Sequence, residues 1–103
     1  PEQHFTMLVD EDEPEFARDK VLLYAALNVE AGHAYARKGN AAMARATFTN
    51  ALRFTLKARA RFSAAGLPAY TPRVAELLDL LKDAPLDADT AELLCADTDA
   101  ASQ

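Results

Sequence analysis

Two long stretches with apolar residues at helical spacing meet at Lys38-Gly39-Asn40, and that interruption most limits what the chain can become. Basic residues close the first stretch and glycine follows them, the usual pattern of a helix end. The second stretch begins near Asn40 and can run to about Ala65, before Gly66. A connection this short forces the two helices to lie antiparallel. The expected fold is therefore all-α: an antiparallel helical hairpin with a shorter third helix and room for a fourth, in a small helical bundle. Composition agrees. The 103 residues include 23 alanines but three glycines and five prolines. Alanine favours helix and allows close helix contact, whereas a sheet protein needs more β-branched and turn residues.

The first helix is expected from Pro14 to about Lys38, with Asp12 as its cap and Pro14 in its first turn. Phe16, Leu23, Leu27, Ala31 and Ala34 share one face, flanked by Tyr24 and Tyr35. Leu22, Ala26, Val29 and His33 form a second row about 100° further round. So wide an apolar surface calls for more than one neighbour, either other helices of the chain or a second subunit. On the second helix Ala44, Phe48, Ala51, Leu52, Thr55, Ala58 and Phe62 form the expected buried face. Asn50, Arg53, Lys57 and Arg61 lie opposite. Thr71 is placed to cap a third helix with Pro72 at its first position, carrying Val74, Leu77, Leu78 and Leu81 as its apolar stripe. Asp89-x-x-Glu92 resembles a capping box before a short fourth helix. The expected organisation is an acidic tail or docking segment at 1–13, a helical domain at 14–96 and a disordered tail at 97–103. Within the first segment Phe5–Val9 is apolar enough to pack on the bundle.

From Ala31 the hairpin reads Ala31-Gly32-x-x-Tyr35-x-x-x-Gly39, then Ala44, Phe48 and Ala51-Leu52. These positions resemble one tetratricopeptide repeat, a helical hairpin of about 34 residues. Asn28 departs from that pattern where an aromatic is common, and Leu56 where proline is common. The resemblance covers about a third of the chain and no second copy follows. It implies a single repeat-like hairpin that binds a protein or peptide and is completed by the third helix or a partner. The span from Gly39-Asn40 to Ala58 also resembles the second helix of the MIT domain, which binds amphipathic peptide helices. Ala51–Ala58 with Gly66, Val74 and Leu77-Leu78 resembles the HEPN helical fold. The ribonucleases of that family use an arginine followed four to six residues later by histidine. That spacing does not occur here.

Charge is distributed in blocks. Residues 31–75 contain eight bases and no acid, while 1–30 and 76–103 contain eight acids each with two and one bases; the net charge is −5. A basic middle between acidic ends either binds an anionic partner or is neutralised by the ends. Acidic ends also oppose nucleic acid, and no exposed aromatics interleave the stripe Arg53–Lys57–Arg61. Arg59, at the margin of the buried face, requires an anionic partner, expected from an acid of another helix such as Asp79 or Glu30, with an anionic group on a ligand as the alternative. His33 and Arg37, one turn apart, lie on the groove side of a tetratricopeptide-type hairpin. The candidate partner-binding residues are thus His33, Arg37, Arg53, Lys57, Arg59 and Arg61.

No catalytic set is legible. Ser63 and Ser102 have no histidine near them in sequence, Cys95 has no basic neighbour, and no glycine-rich phosphate loop is present. Glu30-x-x-His33 has the spacing of a helical metal pair, but a di-iron bundle needs two such pairs with further glutamates, and the other histidine is His4. No catalysis, metal or cofactor is expected. One cysteine allows no internal disulfide and fits a reducing cytoplasm. No membrane span or signal peptide is expected. The functional expectation is a non-catalytic protein-interaction module that forms a homodimer. The alternative is a phosphate- or nucleic-acid-binding accessory domain, HEPN-like but without the ribonuclease motif.

Overall fold

The structure, a computed structural model, describes residues 14–101; His4, the Phe5–Val9 segment, the Asp12 cap and Ser102 lie outside the described residues. Four helices follow in order: α1 (Pro14–Arg37), α2 (Ala41–Arg61), α3 (Val74–Leu80) and α4 (Ala88–Ala101). No strand occurs among the described residues, and no helix there is long and apolar enough to cross a membrane. The protein is a small all-α bundle.

The turn between α1 and α2 is built from local bonds. Gly39 adopts φ +79°, a left-handed conformation that only glycine enters without steric cost. Its N–H donates to Ala36 and that of Asn40 to Tyr35, closing the carbonyl end of α1 in a Schellman motif. The Asn40 side chain then accepts from the Met43 N–H and starts α2.

α2 is the centre of the bundle, and α1, α3 and α4 all pack on it. Its expected face is buried, with Ala44, Phe48, Ala51, Leu52, Thr55 and Ala58 inside and Phe62 half-buried. Phe54 and Leu56, outside that face, are buried as well because neighbours lie on more than one side. Near the start of α1, Ala17, Val21, Leu22 and Ala25 pack against Phe54 and Ala58, and Tyr24 stacks on Phe54 at 4.9 Å between centroids. Near the turn, Phe48, Leu52 and Leu56 meet Leu77 of α3 and Leu81 just after it, with Leu93 and Leu94 of α4 half-covered alongside.

The face of α1 that packs on α2 is not the row of bulky residues. Small or slender residues, Ala17, Val21, Ala25 and Gly32, make the approach, and all four are buried. Helices separated by small side chains come closer and gain more dispersion contact per residue. Of the second row, Leu22 is buried, while Ala26, Val29 and His33 are half-covered by the chain itself.

Four boundaries differ from expectation. α2 ends at Arg61, not near Ala65; Phe62 is extended and Gly66 adopts φ +65°. Buried Arg18 of α1 draws the chain out of the helix there, donating to the carbonyls of Ser63, Ala65 and Gly66 at 3.1, 2.7 and 3.2 Å. α3 begins at Val74 without a side-chain cap, because the Thr71 hydroxyl bonds Pro68 instead and closes the connecting turn. The cap of α4 is Asp87 and not Asp89: its carboxylate accepts from the Thr90 N–H at 2.8 Å. Finally, α4 continues through 97–101, part of the expected disordered tail, because Leu93 and Leu94 pack against the core and Asp97 is held by Arg59.

The Thr90 N–H bond holds the Asp87 carboxyl below its ordinary pKa against the opposing effect of desolvation, with a lesser contribution from the nearby Arg53 charge. Because the folded value is depressed, the cap stabilises fully above the ordinary aspartate range and is lost as pH falls through the lower folded value. Asp87→Ala should cost about 1 kcal/mol near neutral pH. The difference from wild type in urea melts should shrink towards zero as the carboxyl protonates in acid.

Candidate functional site

Two surfaces have the chemistry of a contact site. The first is the basic side of α2, which faces α4. Arg53 and Lys57 line a groove with Asp89, Glu92, Leu93 and Ala96 of α4. One turn on, the Arg59 guanidinium meets the Asp97 carboxylate at 2.8 Å. Arg59 therefore pairs with α4, not with Asp79 or Glu30. The last acidic block of the chain is laid along the basic helix, so carboxylates of the same molecule already face Arg53, Lys57 and Arg59. Arg61 is exposed, its guanidinium 6.0 Å from the Phe62 ring. The structure thus brings together three of the four candidates on α2 and sets Arg61 at the end of the helix, facing solvent.

His33 and Arg37 are not combined in this way. The His33 ring lies edge-on to Phe48 at 5.1 Å, half-buried in the hairpin, whereas Arg37 is exposed in the last turn of α1. Glu30 is exposed on the outer side of α1. Among the described residues no group of three His, Cys, Asp or Glu side chains converges as a metal site. Ser63 lies in the connector, its hydroxyl accepting from the Ala65 N–H, and Cys95 is exposed on α4.

Two arginines serve the fold and carry no signal in the sequence. Arg18 is one of two bases in an acidic stretch, yet it is 3% exposed and holds the connector after α2. Arg45 reaches across the other end of the bundle and donates to the carbonyls of Leu81, Ala84 and Pro85 at 2.9–3.1 Å. A guanidinium has five donors in a fixed fork, which suits it to collecting several carbonyls. Such partners, about 40 residues away along the chain, leave no local pattern.

The second surface is the outer face of α1. Phe16, Leu23 and Leu27 are 59, 44 and 61% exposed, although Lys20 leans over the Phe16 ring at 5.5 Å. Three large apolar side chains thus follow one line of a single helix. They are the row that the sequence marks as apolar, and the small-residue packing on α2 directs them outward. Single exposed apolar residues are ordinary, but an aligned set is the mark of a contact surface. No protein-family model, no curated protein and no solved structure matches the chain.

Proposed function

We propose that the protein is a non-catalytic interaction module that self-associates through the outer face of α1. The observation that carries this is the aligned exposure of Phe16, Leu23 and Leu27 on a 24-residue helix whose opposite face is already packed. Burying a large apolar side chain completely contributes ~1.5–3 kcal/mol. Six half-exposed side chains, three from each of two copies, then contribute roughly 5–9 kcal/mol, against an association cost of ~4–15 kcal/mol. The favourable end of these ranges leaves about 5 kcal/mol, which corresponds to a weak, concentration-dependent complex. The tetratricopeptide-like spacing of the hairpin supports a binding role for the same helix pair. Phosphate or nucleic-acid binding through Arg53, Lys57 and Arg59 is disfavoured, because an anionic ligand there meets the carboxylates of α4.

Sedimentation equilibrium should detect self-association of the wild-type protein at concentrations approaching ~1 mM, the range of weak complexes. Leu27→Asp should remove it while leaving the helical circular dichroism and melting curve nearly unchanged, since Leu27 is mostly exposed. A wild-type chain that stays strictly monomeric over that range overturns the proposal.

A further inference from the structure

The outer face of α1 is complementary to itself. Its central line runs Phe16, Lys20, Leu23, Leu27, Glu30, Ala34, with alternating steps of three and four that keep side chains on one seam. At 100° per residue all six fall within about 40° of the direction opposite Ala25, which is buried against the bundle. They span about 27 Å of helix. The line also has a centre: the pairs 16 and 34, 20 and 30, and 23 and 27 are each equidistant from residue 25.

We infer that the partner of this face is a second copy of α1 lying antiparallel to the first, with the two-fold axis passing at the level of Ala25. This deepens, and rests on, the self-association proposed above. In that arrangement each residue meets the one equally far beyond the axis on the other copy. Lys20 meets the second copy's Glu30, placing opposite charges together twice. Phe16 meets Ala34, so the largest side chain of the line lies against the smallest. Leu23 meets Leu27. A two-fold contact of this kind repeats every pairing, as a closed dimer requires. A parallel arrangement instead sets Lys20 against Lys20 and Glu30 against Glu30, and Phe16 against Phe16. Charge selects between the two, because juxtaposed like charges penalise the wrong register.

Charge reversal tests the register in the full chain, with self-association followed by sedimentation equilibrium. Lys20→Glu alone and Glu30→Lys alone each turn two attractive pairs into repulsive ones, and each should weaken the dimer by about tenfold or more. The double variant Lys20→Glu with Glu30→Lys should restore wild-type association. Mixing the two single variants should also restore it, since a mixed dimer again opposes unlike charges at both pairs. Melting curves of each variant control for the contact between Lys20 and Phe16 within one chain. If wild type associates and Leu27→Asp does not, but the single reversals leave association unchanged or the double variant fails to recover, the antiparallel register is wrong while self-association stands. A strictly monomeric wild type overturns both, and points instead to another occupant of this face.

Discussion

Gly32→Ala should destabilise the protein by about 1–3 kcal/mol, although alanine is ordinarily the better residue inside a helix by ~1 kcal/mol. A β-carbon at position 32 would lie 2.5 Å from Cε1 of Phe48, with Cδ1 and Cζ at 2.7 and 2.9 Å. Three ring atoms are too close at once, so no small rotation of the ring clears it. Phe48 is 5% exposed, and its ring is also set against His33, which limits where it can move. The helices must separate, loosening the contacts that hold the hairpin. Gly32→Val should be worse still. Urea melts of Gly32→Ala, Phe48→Leu and the double variant close a thermodynamic cycle. Leucine opens space beside position 32, so the double variant should lose less than the two single losses combined. Simple additivity would show that the Gly32–Phe48 approach is not what limits the hairpin.

Arg18→Met should cost about 2–4 kcal/mol, which for a domain of this size lowers Tm by roughly 8–30 °C. Methionine retains much of the buried stem but none of the donors. The carbonyls of Ser63, Ala65 and Gly66 lose their guanidinium partner, while the Tyr70 hydroxyl's bond to the Asp19 carbonyl still ties the connector to α1. These residues are exposed, so water replaces part of what is lost and keeps the cost below that of a sealed site. Arg18→Lys should recover only a minor share, because an ammonium cannot present the same planar fork. Hydrogen exchange should show the change concentrated in residues 62–72. A loss under about 1 kcal/mol would mean that packing and the Tyr70 bond hold the connector without Arg18.

The basic helix and its acid partners show how tertiary contact redirects a legible charge pattern. The blocks of sign can be counted along the chain, and neutralisation by the chain's own ends is one of the two outcomes they allow. Which acid meets which base cannot be counted. Arg59 is served by Asp97, 38 residues away, and that pairing exists because α4 continues past the position where its apolar residues stop. Asp97, Thr98 and Asp99 in succession give little reason to expect helix there. Docking of Leu93 and Leu94, with the ion pair beyond them, supplies what local propensity lacks.

The local features of the hairpin were readable because they depend on residues a few positions apart. Gly39 and Asn40 close one helix and open the next through bonds to Tyr35, Ala36 and Met43. The buried face of α2 follows from helical period alone, since that helix is the hub and most of its apolar side finds a neighbour. On α1 the period shows two rows, and neither is the one that makes the approach to α2. Close packing uses a third line that hydrophobicity does not mark: Ala17, Val21, Ala25 and Gly32 let α1 settle against α2, with Phe48 filling the approach at Gly32. Phe16, Leu23 and Leu27 are left outside. Helical period is a property of one segment, whereas the choice of packed face depends on the shape of two. That is why the apolar row of α1 could be read in the chain, and its role as an open surface only in the fold.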